Sequence, residues 1–258
     1  MYARHLDWHL GCKRDKKPTS RPQIDWSHPM AKNLVCAFVP YDMSEGAEFD
    51  LTGNHRWDWT GQGDELKKTY TDKGVCISRD NKDGSDHHLI FEPPIPNQNC
   101  DDGHSFAMLF RPTTNDAYSH DLAGDYEEDD LTLFLYPTGS TGYMRHLYND
   151  RWDHKIVDNN LEGNDNPWIH IFLTHDLSGG RHSINRLEFS SHTGQDYQEI
   201  TRSTDVDEIT KWGVFFEGKD RGRKPPGDLA YFFSWKETYH TVAQMKDFLD
   251  NPYQFLIY

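Results

Sequence analysis

The sequence predicts an all-β fold, a two-sheet β-sandwich with one short C-terminal helix, and three observations carry that prediction. Apolar residues alternate at period two in several short runs, turn-forming residues separate the runs, and a single stretch shows a capped helical pattern. Trp, Tyr and Phe make up 14% of the chain. A hydrophobic content of only 35% therefore still builds a core, because each aromatic ring buries far more area than an aliphatic side chain. At 258 residues the chain is long enough to bury most of its surface without a disulfide or a metal.

In chain order, residues 1–25 read as a polar, basic lead-in whose Pro18 and Pro22 favour extended backbone. Residues 26–258 read as one domain, with no Gly/Ser-rich linker and no internal repeat. Strands are predicted at 104–111, with Phe106, Met108 and Phe110 on one face, and at 131–136, apolar on both faces. Another is predicted at 168–175, where Ile169, Ile171 and Leu173 oppose His170, Phe172 and Thr174. At 212–217 the inward residues are Trp212, Val214 and Phe216; at 228–235 they are Leu229, Tyr231, Phe233 and Trp235. Fainter strand patterns fall at 33–39, 74–78, 87–91, 142–148, 152–157 and 183–189, between turn clusters such as PTGSTG (137–142) and DLSGG (176–180). About a dozen strands with aligned inner faces make two packed sheets. Thr241 and Gln244 form a capping box, Val242, Met245, Phe248 and Leu249 share a helical face, and Asn251-Pro252 stops the helix, which sets it at 242–250.

The formal net charge of −15 repels phosphate backbones and anionic bilayers, which argues against nucleic-acid and membrane partners. The first 23 residues run the other way, carrying +4 and leaving −19 for the rest. Tyr2, Leu6, Trp8 and Leu10 lie among Arg4, Lys13 and Arg14, a mixture that suits an arm docking on a neighbour better than a solvated tail. Residues 1–20 lack the apolar core of a signal peptide, and no apolar run reaches the roughly 20 residues needed to span a bilayer. Cys12, Cys36, Cys76 and Cys100 form no CxxC pair, and Cys36 and Cys76 sit in apolar runs, as reduced structural thiols made in a cytosol would.

With these elements in place, the chain resembles the laminin-G-like, concanavalin A-like lectin/glucanase superfamily as found in bacteriophage structural proteins. NLVCAFVPYDMSEGAEFDLTGNHRWDWTG (33–61) resembles the family's first hairpin with its D-L-[ST]-G-N turn, here Asp50 to Asn54. GVCISRDNKDGSDHHLIF (74–91), SFAMLFRPT (105–113) and NPWIHIFLTHDLSGG (166–180) resemble its following strands. GDLAYFFSW (227–235), the capped helix and Asn251-Pro252-Tyr253 resemble its closing strand and N-P-[FY] ending. The match runs in order over residues 26–258, with 115–165 agreeing in length and polarity only, and DWSHPMAKNLV resembles the start of head- or tail-associated members. The resemblance implies a concanavalin A-like jelly roll.

Glycoside hydrolases of this fold carry an E-x-D-x-E strand, in which alternate carboxylates flank the scissile bond. Here Glu127, Glu128, Asp129 and Asp130 come nearest, but Leu131 stands where the third carboxylate belongs, so catalysis is not expected. Glu127, Asp129 and Asp130 are weak calcium candidates, alongside Asp101-Asp102 and the loop 80–84; none has a D-x-D-x-D-G pattern, so no cofactor is assigned. The histidines lack H-E-x-x-H spacing, and neither G-x-S-x-G nor a phosphate-binding loop is present. Trp57, Trp59, Trp152 and Trp168 are glycan-stacking candidates if exposed and core residues if not.

The expectation is a non-enzymatic virion protein, made in the host cytoplasm: a capsid decoration or other head-surface protein docked on the major capsid protein through residues 1–25, alone or as a homo-oligomer. The alternative is a lectin-like module of a tail or fibre that binds a host glycan.

Overall fold

The structure, a computed structural model, describes residues 17–42, 50–54, 56–60, 66–79, 88–92, 104–112, 120–125, 131–138, 141–148, 151–159, 168–175, 180–188, 196–203, 212–214 and 227–258. Side chains are described at 17–42, 50–54, 67–79, 105–111, 168–174 and 227–258.

The strands are β1 (Gln23–Ile24), β2 (Leu34–Phe38), β3 (Arg56–Thr60), β4 (Leu66–Thr71), β5 (Gly74–Arg79), β6 (His88–Glu92), β7 (His104–Pro112), β8 (His120–Asp125) and β9 (Leu131–Thr138). There follow β10 (Thr141–Tyr148), β11 (Arg151–Asn159), β12 (Trp168–His175), β13 (Gly180–Glu188), β14 (Asp196–Ser203), β15 (Trp212–Val214), β16 (Gly227–Lys236), the helix α1 (Val242–Asp250) and β17 (Leu256–Ile257). The larger sheet has the order β14-β13-β12-β7-β16-β5-β4, with β2 also paired to β16. The smaller has the order β11-β10-β9-β8-β15-β6-β3, and β1 pairs with β17 in a separate ribbon. The all-β sandwich with one short helix is thus as the sequence predicts. The described strands outnumber the dozen expected in part because β1 and β17 have two residues each, and the sequences of β4, β8 and β14 (LKKTYT, HDLAGD and DYQEITRS) are too polar to show an apolar alternation.

One expectation fails in detail. The sequence places Leu229, Tyr231, Phe233 and Trp235 on one inner face, but a register shift between Leu229 and Tyr231 divides them. Leu229 stands opposite Phe110 and Ile77, whereas Tyr231, Phe233 and Trp235 stand opposite Leu109, Ala107 and Ser105. Residues directly opposite share a face. Phe106, Met108, Phe110, Ile169, Ile171, Leu173 and Leu229 therefore turn to the second sheet, and Tyr231, Phe233 and Trp235 turn to the outside of the larger one. DLAYFFSW is apolar at both parities, so alternation alone could not reveal the extra residue, Ala230, that reverses the faces.

That outer face is covered by α1 and the ends of the domain. Phe248 lies edge-on to Phe172, Tyr231, Phe233 and Trp235, with ring centroids 5.1–6.0 Å away, and Met245, Leu249 and Phe255 fill in around it at no exposure. Thr241 Oγ1 accepts from the Gln244 amide and Gln244 Oε1 accepts from the Thr241 amide, completing the predicted capping box. Trp235 Nε1 donates to the Met30 carbonyl at 2.6 Å, which binds the 3₁₀ turn at Pro29–Ala31 to the same layer.

The Asp50–Asn54 turn closes the outer edge of β2. Asp50 is 1% exposed, and its Oδ1 accepts from the amides of Ala37 and Thr52 and from the Thr52 hydroxyl. The Leu51 amide donates to the Ala37 carbonyl at 2.8 Å. Gly53 supplies the positive φ, +78°, on which the turn depends. Cys36 and Cys76 are free, buried thiols within β2 and β5, and burial pushes both pKa values up, so they remain protonated packing groups.

Candidate functional site

Residues proposed from sequence for docking (Tyr2, Arg4, Leu6, Trp8, Leu10, Lys13 and Arg14) and for calcium (Glu127, Asp129 and Asp130) lie outside the described residues. So do the side chains of Trp57, Trp59 and Trp152. Trp168 is described and is only 4% exposed. Its Nε1 donates to Asp72 at 2.8 Å, and the Arg111 guanidinium sits 4.7 Å above its ring, so it offers no stacking platform. His170 is buried beside Tyr231, Nδ1 to hydroxyl 3.4 Å, in a structural setting.

Trp168 belongs to a charged cluster at the end of the outer face away from α1. Arg111 reaches Asp228 through Nε at 2.9 Å and Nη2 at 2.7 Å, and Ser78 donates to the other Asp228 oxygen. Its third nitrogen, Nη1, reaches Asp72 at 3.3 Å. Three strands and the β4–β5 turn bring these groups together. Asp228 opens β16, Arg111 ends β7, Trp168 opens β12, and Asp72 lies between β4 and β5. The Asp72 side chain stays 60% exposed and Arg111 29%, so a carboxylate and a guanidinium, both fixed from behind, meet solvent together. Such a pair can hydrogen-bond a polar ligand at little ordering cost. The pairings span 39–150 residues and have no local signature.

A second polar cluster is buried. Ser105 Oγ lies 2.6 Å from Thr174 Oγ1 and 2.9 Å from His240 Nδ1, and donates its proton to the Thr238 carbonyl at 3.0 Å. With that proton committed, His240 must donate from Nδ1, leaving Nε2 as its basic nitrogen. Phe172 and Trp235 meet the ring edge-on, and desolvation lowers the His240 pKa to about 4. Ser105 has no exposure and its proton points away from the imidazole, so this Ser–His contact is structural rather than nucleophilic.

Among the described residues no group of three or more His, Cys, Asp or Glu is placed to hold a metal ion, and no helix is long and apolar enough to cross a membrane. Large hydrophobic side chains left exposed are Trp26 at 59%, Tyr70 at 67%, Tyr239 at 38%, Ile257 at 49% and Tyr258 at 49%. Trp26 was not among the tryptophans singled out from sequence; it stands in the turn after β1, where its neighbours Asp25 and Ser27 bond to each other.

No protein-family model and no curated protein matches the chain. Solved structures do. The binding domain of Paraclostridial Mosquitocidal Protein 1 is 14% identical with a TM-score of 0.55, over 86% of this chain and 52% of that one. The botulinum neurotoxin serotype D binding domain is 11% identical with a TM-score of 0.53, over 83% and 51%. The Trypanosoma rangeli sialidase solved with sialic acid is 9% identical with a TM-score of 0.54, over 84% and 32%. The chain thus spans about half the length of the two toxin chains and about a third of the sialidase. At these identities the likeness is one of fold, and the chain is an all-β sandwich.

Proposed function

We propose that this chain is a non-catalytic, concanavalin A-like binding module of a bacteriophage particle, docked as a capsid decoration through the segment ahead of β1. The observation that carries the reading is the rooting of that segment. Pro18, Pro22 and Ile24 are buried, β1 is paired with β17, and Lys17 is bonded to the larger sheet, so residues 1–16 start from a fixed point on the domain. A basic, aromatic-bearing segment on an acidic body suits a soluble protein that orders on its partner. Burying a side chain such as Trp8 there contributes on the order of 2 kcal/mol, and symmetric repetition multiplies weak contacts. The test is co-sedimentation with purified bacteriophage heads and tails, using the full chain and a chain lacking residues 1–16. Binding to heads that disappears with the truncation supports the reading, and equal binding by both sinks it.

A second reading, recognition of a host glycan, draws on the exposed Asp72–Arg111 pair and the exposed Trp26, Tyr70, Tyr239 and Tyr258. The sialidase solved with sialic acid and the toxin binding domains share its fold. A glycan array separates the two: a hit weakened by Asp72→Ala, with no sedimentation on heads, favours the lectin.

A further inference from the structure

β16 changes partners along one edge. Its pairs with β5 end at Leu229–Ile77 and those with β2 begin at Phe232–Phe38. Ala230 lies between, at the register shift, and is registered with no residue of β2, β5 or β7. The ladder therefore opens into a fork, beside which Val75, registered with Tyr70 of β4, lies two residues past the last β5 pair. Buried carbonyls at such a break need donors from elsewhere.

Lys17 supplies them. Its Nζ donates to the carbonyl of Val75 and, at 2.6 Å, to that of Ala230. Its stem lies along Gly74, where an added Cβ would meet Lys17 Cδ at 3.3 Å and Cβ at 3.5 Å. Gly74 itself holds φ +82°, so the residue that closes the β4–β5 turn also leaves room for the lysine. The next residue, Pro18, is buried. A compact ammonium with three donors suits a narrow cleft between two carbonyls; a planar guanidinium is wider and forked.

We propose that this fork is a primary-ammonium site filled by the chain's own Lys17, and that the bonded lysine straps the segment ahead of β1 onto the larger sheet. The inference concerns this chain alone and stands whether or not the segment docks on a particle. Lys17→Met keeps the stem over Gly74 and removes the donors; Lys17→Gly empties the fork.

Hydrogen exchange and thermal melting test both parts. In Lys17→Met, amide exchange at Asp25, whose N–H donates to the Phe255 carbonyl beside β1, should rise about tenfold or more, as expected for loss of hydrogen bonds from a charged donor. In Lys17→Gly, butylammonium chloride should restore Tm beyond what equal sodium chloride does. It should leave exchange at Asp25 fast, because a free amine fills the fork without tying the chain. Exchange in Lys17→Met equal to the parent overturns the strap, and butylammonium no better than sodium overturns the site. If either variant does not fold, amine acetylation of the parent decides: the exposed Lys32 should react about tenfold faster than Lys17, and equal rates overturn the proposal.

Discussion

His240 Nδ1 lies 2.9 Å from Ser105 Oγ, so an imidazole on the loop before α1 is bonded to the first turn of the central strand β7. Thr174 completes the contact, accepting the His240 amide at 3.1 Å. The loop, β7 and β12 thereby share one hydrogen-bond network next to the aromatic layer under α1.

This network makes stability pH-dependent with a definite sign. Burial holds His240 near pKa 4, against 6.5 when unfolded, so between those values the unfolded chain binds the extra proton. Stability should therefore be fully present above about pH 6.5 and fall as pH drops toward 4, by up to about 3 kcal/mol from this group. Urea unfolding from pH 4 to pH 7, parent against His240→Asn, checks it. A difference between the two that stays constant across that range removes the assignment.

Asp228→Ala should cost about 2–3 kcal/mol, because it strands Arg111 Nε and Nη2 and the Ser78 hydroxyl in a site where Asp228 is 4% exposed. Arg111 is partly solvated and retains Asp72, which keeps the loss below that of a fully buried pair. Equilibrium denaturation of the single variants and of the Arg111→Met/Asp228→Ala double variant should show coupling, with the double variant less destabilised than the two singles added.

Asp50→Ala should cost about 2 kcal/mol by removing the acceptor shared by Ala37 and Thr52. Gly53→Ala should cost only about 1 kcal/mol, since nothing lies within 4 Å of the added Cβ and the penalty is that of a positive φ. The Asp50 variant should also show faster amide exchange along β2, while the Gly53 variant should not. Reversal of that order would mean that the turn is not what protects the strand edge.

Gly227→Ala should be the most damaging glycine substitution among those described. The new Cβ would run into Phe110 Cζ and, at 2.5 Å, the Arg111 carbonyl, and the backbone contact cannot move without shifting β7 against β16. Overpacking of this kind costs about 1–3 kcal/mol. A melting temperature within a degree or two of the parent would show that the two strands separate more easily than this packing allows.

Much of the fold was legible because its signals are local. Alternation in HSFAMLFR and WIHIFLTH identified β7 and β12 and their faces, and Thr241 with Gln244 marked the start of α1 to the residue. The D-L-T-G-N run was visible as a motif, but its physical role, sealing the edge of β2 through Asp50, needed the strand beside it. The charged cluster was not legible at all. Asp72, Arg111, Trp168 and Asp228 look ordinary in sequence, and only the β7–β16 and β7–β12 registers bring them to one end of the outer face.

A two-sheet β-sandwich with one capped helix follows from neighbouring residues alone, because hydrophobic period and capping chemistry are local. The direction in which β16 turns its aromatics depends instead on long-range pairing. DLAYFFSW is apolar at both parities, so the faces depend on one extra residue, Ala230. The pairing with β7 on one side and with β5 and β2 on the other sets where that residue falls, and Lys17 donates to its carbonyl.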